Sequence, residues 1–470
     1  MRRRDFLRAV SVSSGAVVLA PALLRTAGAT PRQGSGGGPY GSIDGREPDE
    51  NGILLPEGFT SRVIARSNAE VQGTGYTWPV FPDGAATIAA EGGGWYLVVN
   101  SENPAPNDGG VSSIRFDDAG SVVEARSVLD GTTQNCSGGA TPWGTWLSCE
   151  EVDYGQVWEC DPSGARDPEV RPALGTFAHE AVAVDSDNEQ LYLTEDEGDG
   201  RFYRFTPEAY PDLTAGALEV ATVDGDGAVT WSAVPDPSGS PTPTREQVPD
   251  STAFDGGEGV WFDQGSVYFA TKGDDHVRRY DTADETMEVV YDGTGVLTGV
   301  DNLTIEPGTP DLYVVEDGGN MEVVVLTPEG GVFPFARIVD EGTPADGVVS
   351  EVTGPTFSPD GTRLYLASQR GGPENAGISY EVTGPFRAAD AASTSTTATT
   401  LAGVEAENPT SATGSDSVEG DADEDGADLA LPLVGGAMVL GLAATGAIVW
   451  RVRTRDHGAG DDPGDAPESR

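Results

Sequence analysis

Lysine is almost missing from this chain of 470 residues: Lys272 stands alone, and 27 Lys+Arg face 77 Asp+Glu for a formal net charge of −50. A surface so acidic repels phosphate backbones and anionic lipid, which excludes nucleic acid and the bilayer surface as default partners. Histidine is nearly as scarce, with only His179, His276 and His457. Without a Gly-x-Ser-x-Gly elbow beside them, a Ser-His-Asp hydrolase is a poor reading, and no P-loop is present. The three cysteines, Cys136, Cys149 and Cys160, lack the paired spacing of a zinc knuckle. Their odd number leaves at least one thiol free or ligating, while Cys149 and Cys160 could close a disulfide loop that sequence alone does not establish. With 64 Gly and 33 Pro, little room is left for long helices.

What is present is enough for a core: 37% of residues are hydrophobic and eight are Trp. Acid excess with lysine depletion fits a halophile's route to solubility and accounts for most carboxylates without catalysis. The N-terminus carries Arg2-Arg3-Arg4-Asp5-Phe6-Leu7, an apolar stretch from Val10 to Leu24, and Ala27-Gly28-Ala29. That pattern reads as a Tat-type export signal over residues 1–30, an ordinary Sec signal or short anchor being the alternative. A linker over 31–50 follows. Near the other end, Leu429 to Trp450 is uninterrupted by charge and is followed by Arg451, Arg453 and Arg455. About 20 apolar residues suffice to span a bilayer, so a single transmembrane helix is expected at 429–450, with a cytoplasmic tail at 451–470. The Ser/Thr-rich, acidic stretch 389–428 reads as a stalk. The expected product is exported through Tat and displayed on the cell surface.

Between residues 51 and 388 one phrase recurs: a short β-rich run with an aromatic, then acidic residues, then another strand. The markers Tyr96, Trp146, Tyr192, Tyr268, Tyr313 and Tyr365 lie about 50, 46, 76, 45 and 52 residues apart. Strands at such a period predict an all-β fold, a six-bladed β-propeller; five blades, or a jelly-roll-like sandwich, are the alternatives. The long interval contains Pro207 to Pro249, read as an insertion on one blade.

Ligand-type residues cluster beside the marker strands. Equivalent blades would bring them to one axis, where several carboxylates cannot all stay ionised without cations. Oxygen donors suit calcium, while a thiolate and an imidazole point to a transition metal. Against this, any strand end in a chain with 77 acids tends to carry one, so a single carboxylate is more often solvated than ligating. The Gly/Trp framing is harder to dismiss: Asn135-Cys136-Ser137-Gly138-Gly139, then Trp143-Gly144-Thr145-Trp146-Leu147-Ser148-Cys149-Glu150-Glu151.

Here the chain resembles the PhoX family of secreted alkaline phosphatases. Supporting matches are Val98-Val99-Asn100 with Glu102, His179-Glu180-Ala181, Glu258-Gly259-Val260-Trp261, Asp301-Asn302-Leu303 and Phe357-Ser358-Pro359-Asp360-Gly361. The resemblance implies a Tat-exported propeller holding calcium and a ferric iron pair. It implies metal ligation by Cys136, Glu151 (or its neighbour Glu150), Glu180, Glu258 and Asp301. Asn100, Glu102, Glu316 and Asp317 would be further calcium ligands. The family's arginine two residues before the glutamate is here Gly256, which would leave phosphate binding to Lys272, Arg201 or Arg370. The expected activity is hydrolysis of a small phosphate ester by a monomer, its membrane contact confined to the C-terminal helix. A non-catalytic, calcium-stabilised propeller that binds a ligand or surface polymer, or a calcium-dependent lactonase, are the competing readings. The sequons at Asn135 and Asn302 fall inside the expected site and should be unmodified.

Overall fold

The structure, a computed structural model, describes residues 32–33, 37–339, 350–372 and 374–387. The expected signal, stalk, span and tail lie outside them, and among the described residues no helix is long and apolar enough to cross a membrane. Six sheets, antiparallel except for the short parallel pairing of Arg32–Gln33 with Gly331–Ile338, make a six-bladed propeller. Blade 1 runs Pro82–Ala89, Trp95–Ser101, Gly109–Phe116 and Val122–Thr132, and blade 2 runs Asn135–Ala140, Trp146–Glu150, Val157–Cys160 and Glu169–Val170. Blade 3 begins with His179–Asp185, Gln190–Glu195 and Phe202–Ala209. Blade 4 comprises Gly257–Asp263, Ser266–Thr271, His276–Asp281 and Thr286–Asp292, and blade 5 Val300–Ile305, Leu312–Glu316, Glu322–Leu326 and Gly331–Ile338. Blade 6 takes three strands from the C-terminal side, Val352–Phe357, Arg363–Ser368 and Ile378–Thr383, and its outer strand, Thr60–Arg66, from the N-terminal side. That antiparallel pairing closes the ring.

The strands are apolar on both faces because each blade is covered on both sides by another. In Leu312–Glu316, Tyr313 and Val315 pack towards blade 6 with Leu364 and Leu366, whereas Leu312 and Val314 pack towards blade 4 with Val277 and Tyr291. The core is accordingly six wedges, one at each interface between blades. The interval expected to be an insertion is in part blade: it supplies the fourth strand Asp212–Val223 and a fifth, Val229–Ala233. The linker residues described here belong to the fold as well. The Tyr40 hydroxyl donates to Glu306, and the Arg387 guanidinium, which also pairs with Asp311, bonds the same carboxylate at 2.8 Å. One buried acid thus ties the two ends of the propeller to blade 5. All three cysteines are buried and free, so Cys149 and Cys160 form no disulfide.

Candidate metal centre

The first strand of every blade lines the axis, and each carries a two-against-one bulge opposite its second strand. The register skips at Pro82/Ala85, Asn135/Gly138, His179/Val182, Gly257/Val260, Val300/Leu303 and Thr353/Thr356. A bulge leaves an extra residue outside the ladder and re-aims its side chain. In the first five blades the first bulged residue is Asp83, Cys136, Glu180, Glu258 and Asp301. In blade 6 the bulge falls one residue further on, at Gly354-Pro355, and no ligand-type side chain is presented.

A second ring comes from the residue just past each second strand: Glu102, Glu151, Asp196, Lys272, Asp317 and Gln369. Each donates its backbone N–H to the residue that precedes the inner strand, at 2.8–3.2 Å. The two rings enclose a cavity of about 170 Å³ lined by Glu102, Cys136, Glu151, Glu180, Asp196, Glu258, Asp301, Asp317, Glu351, Lys272 and Arg370. Among the described residues, three sets of donors come within 4.8 Å of one another: Asp83 with Glu102 and Cys136; Cys136 with Glu151 and Glu180; Glu180 with Glu258 and Asp301. Cys136 and Glu180 are each shared between two sets, so the donors form one continuous arc.

Charge compensation inside this arc is incomplete. Asp83 Oδ1 and Glu180 Oε2 are buried and meet no hydrogen-bond partner. Gln369 donates to Asp83 and, at 2.6 Å, to Glu102. Lys272 Nζ lies 2.8 Å from Glu258 and 3.3 Å from Asp317. Arg370 pairs with Glu351 and approaches Glu102 at 4.0 Å. Burial, reinforced by the surrounding carboxylates, holds Asp83, Glu151 and Glu180 well above the ordinary carboxyl range. Burial also raises Glu258 and Asp301 well above it although Lys272 opposes the shift, and brings Glu351 to about 7. The Cys136 thiol is pushed up first by burial and then by Asp83 and Glu180. Orphaned oxygens among buried carboxyls crowded by like charges are what a cation would relieve, so these residues fit a metal centre.

The structure thus gathers Cys136, Glu151, Glu180, Glu258, Asp301, Glu102, Asp317, Lys272 and Arg370 in one cavity. Four expected residues stand apart. Glu150 turns away to accept the N–H groups of Thr133 (3.0 Å) and Gln156 (3.3 Å) and the Trp158 indole (3.2 Å). Glu316 likewise accepts from Thr298 N (3.0 Å) and Glu322 N (3.1 Å). Arg201 bonds Ser251 at 2.7 Å and nearby carbonyls. The Asn100 amide is fully used: it donates to the carbonyls of Cys136 (3.2 Å) and Ser137 (2.7 Å) and accepts from Trp146 and Ser148, both at 2.9 Å. It shapes the bulge of blade 2 and cannot ligate at the same time. His179 is also structural: its Nε2–H donates to Gly175 O at 3.1 Å, its ring lies on Phe177, and burial lowers its pKa to about 3.

Sequence reasoning missed Asp83, and left Asp196 and Glu351 out of the ligand set. The Gly-Gly of the motif is steric. A Cβ on Gly138 would sit 1.9 Å from Leu147 O, and one on Gly139 1.8 Å from Val182 O, where inner strands crowd the axis. Gly256 has φ +69°, and a Cβ there would lie 3.1 Å from Asp196 Oδ1. Phe81 and Gln134, at the matching positions of blades 1 and 2, also have positive φ (52° and 50°), so the fold admits side chains there at a cost of about 1–2 kcal/mol. Asn135 and Asn302, the two sequon residues, are both buried.

Fold and site define a six-bladed propeller with an acidic, thiol-bearing cavity at one end of its axis. The family model for alkaline phosphatase PhoX matches residues 110–153, 152–288 and 273–372. These matches extend over more than half of the sequence, and the chain belongs to that family. Among solved structures, Pseudomonas fluorescens PhoX in complex with vanadate, a transition state analogue, superposes with a TM-score of 0.60 at 19% identity, covering 72% of this chain and 97% of that one. A Bacteroides thetaiotaomicron protein of unknown function aligns at 0.45 and 14% identity, covering 69% and 76%. XC5397, a gluconolactonase from Xanthomonas campestris, aligns at 0.38 and 15%, covering 65% and 87%. The curated proteins contain no match.

Proposed function

We propose that this protein is a metal-dependent phosphatase that hydrolyses small phosphate esters in the axial cavity. The observation that carries the reading is the arc of five bulge side chains, two with buried oxygens that meet neither a hydrogen-bond partner nor a cation, in a member of the PhoX family. Bound metal would supply Lewis acidity and neutralise the phosphate's charge. Cys136 with Glu151 and Glu180 suits iron, because a thiolate selects a softer ion, whereas Glu180 with Glu258 and Asp301 offers only oxygen, as calcium prefers. Asp83 and Glu102 extend the arc. Arg370 lines the cavity with a planar guanidinium able to hold two phosphate oxygens at once, and Glu351 keeps it in place. Burial of the inner ring keeps bulk water from the carboxyl groups. Twin-arginine export and anchoring by 429–450 are supported by the sequence patterns.

The test is metal analysis of the purified protein in molar salt, coupled to phosphate release from p-nitrophenyl phosphate. Iron and calcium should be present, and Cys136→Ser should lose iron while retaining calcium. A metal-replete protein that releases no phosphate would refute the reading in favour of a non-catalytic binding propeller.

A further inference from the structure

The ring of residues that follow the second strands is built by one repeated backbone hydrogen bond, so its six positions are equivalent in space. Four are carboxylates, and blade 6 has the neutral Gln369. Blade 4 alone has a base, and that base is the only lysine of the chain. Its ammonium lies across the junction of blades 4 and 5, 2.8 Å from Glu258 Oε1 and 3.3 Å from Asp317 Oδ2. The three donor sets that could hold an ion take in neither Asp317 nor Asp196. Asp83 Oδ1 and Glu180 Oε2 meet neither a hydrogen-bond partner nor a cation, whereas Glu258 Oε1, which likewise accepts no well-aligned hydrogen bond, has the ammonium 2.8 Å away. Compensation in the cavity is therefore divided: donor sets along the inner ring, one of which includes Glu258, and a covalently attached cation at one corner of the outer ring.

We propose that Lys272 is a resident cation that takes the place of a metal ion between Glu258 and Asp317, and so limits how many ions the centre holds. The inference rests on the metal-centre reading above, and not on hydrolysis. A compact ammonium on a four-carbon stem is a point charge that chelators cannot remove and that requires no loading. It neutralises its corner with one positive charge where an ion would bring two.

Two measurements test this with calcium as the probe. Lys272→Gln, equilibrated in saturating calcium and desalted, should hold one more ion per chain than the parent by mass-spectrometric metal analysis, and Lys272→Arg should hold the parent number. An unchanged or lower count in a folded Lys272→Gln protein overturns the proposal. The second measurement uses the unaltered protein. Lys272 should be acetylated by acetic anhydride at the same slow rate with and without calcium, read by peptide mapping. Faster acetylation on calcium loading would mean that the ion displaces the ammonium, which overturns the proposal even if the variant does not fold. A parent protein without any bound ion refutes the metal-centre reading itself, whereas ions in the parent but none gained in the variant refute only the role of Lys272.

Discussion

Replacing Glu180 by Gln should change stability in opposite directions with and without metal. Glu180 belongs to two of the three donor sets; its Oε1 accepts from Asn302 Nδ2 at 3.3 Å, and its buried Oε2 has no partner. In the metal-free protein an amide of the same shape removes one carboxyl from a crowd of carboxyls and offers them an N–H donor. A buried polar group left unsatisfied costs about 1–3 kcal/mol, which sets the expected gain. At about 2.1 cal/mol/K of unfolding entropy per residue, a propeller of roughly 340 residues would then melt about 1–4 °C higher. With metal bound, the same change removes a charged donor shared by two positions. A 100-fold fall in affinity, at an ion concentration one hundred times the original Kd, forfeits about 2.3 kcal/mol of linkage stabilisation. That loss equals or exceeds most of the gain, so the loaded variant should melt at or below the loaded parent. Calorimetry in EDTA and in saturating calcium, at pH 7 and in molar salt, reads both arms. A shift of the same sign and size in both would refute the argument, because Glu180 would then act on packing alone.

Two further outcomes follow from the same geometry. Glu351 has a folded-state pKa of about 7, above its unfolded value, so its contribution to stability is full below about pH 4.3 and is lost as pH rises through about 7; Glu151 and Glu180, also raised by burial, act in the same direction. In EDTA the melting temperature should fall between pH 5 and 8, and calcium should flatten or reverse that slope; a rise with pH in EDTA would contradict it. Asn100→Ala should cost about 2–4 kcal/mol in urea unfolding, because two carbonyls, an indole N–H and a hydroxyl lose a buried partner. It should also weaken metal uptake by loosening Cys136, and a near-neutral effect would show that the bulge holds itself.

How much of the site could be read in advance differs from residue to residue. The pairs Glu150/Glu151 and Glu316/Asp317 look alike in sequence, but each straddles the end of a second strand. The last strand residue turns to cap nearby N–H groups and the next one faces the cavity. A shift of one residue reverses the face, and composition carries no trace of which residue is last. Asp83 was concealed differently. Pro82-Asp83-Gly84 has the composition of a turn, as Pro359-Asp360-Gly361 does, yet here it opens an inner strand and Asp83 is the bulged residue. The neighbours of Asn100 point to the site, but nothing in them tells that its amide serves the backbone of blade 2. Arg201 bonds Ser251 and nearby carbonyls and does not line the cavity, and charge alone does not say which side of a loop a guanidinium takes.

By itself the sequence determined the all-β class, the six-fold repeat, the family and the candidate inner-strand residues Cys136, Glu180, Glu258 and Asp301. These are carried by residue type and period, which local propensity and hydrophobic alternation fix along the chain. Only the tertiary structure decided that six bulges, and the six residues after the second strands, meet on one axis. It alone shows that blade 6 withholds a ligand, that the described linker residues are part of the fold, and that the sole lysine faces Glu258 and Asp317. The physical reason is that each of these depends on register and on contacts between blades, and residues hundreds of positions apart in sequence become neighbours only when the ring is closed.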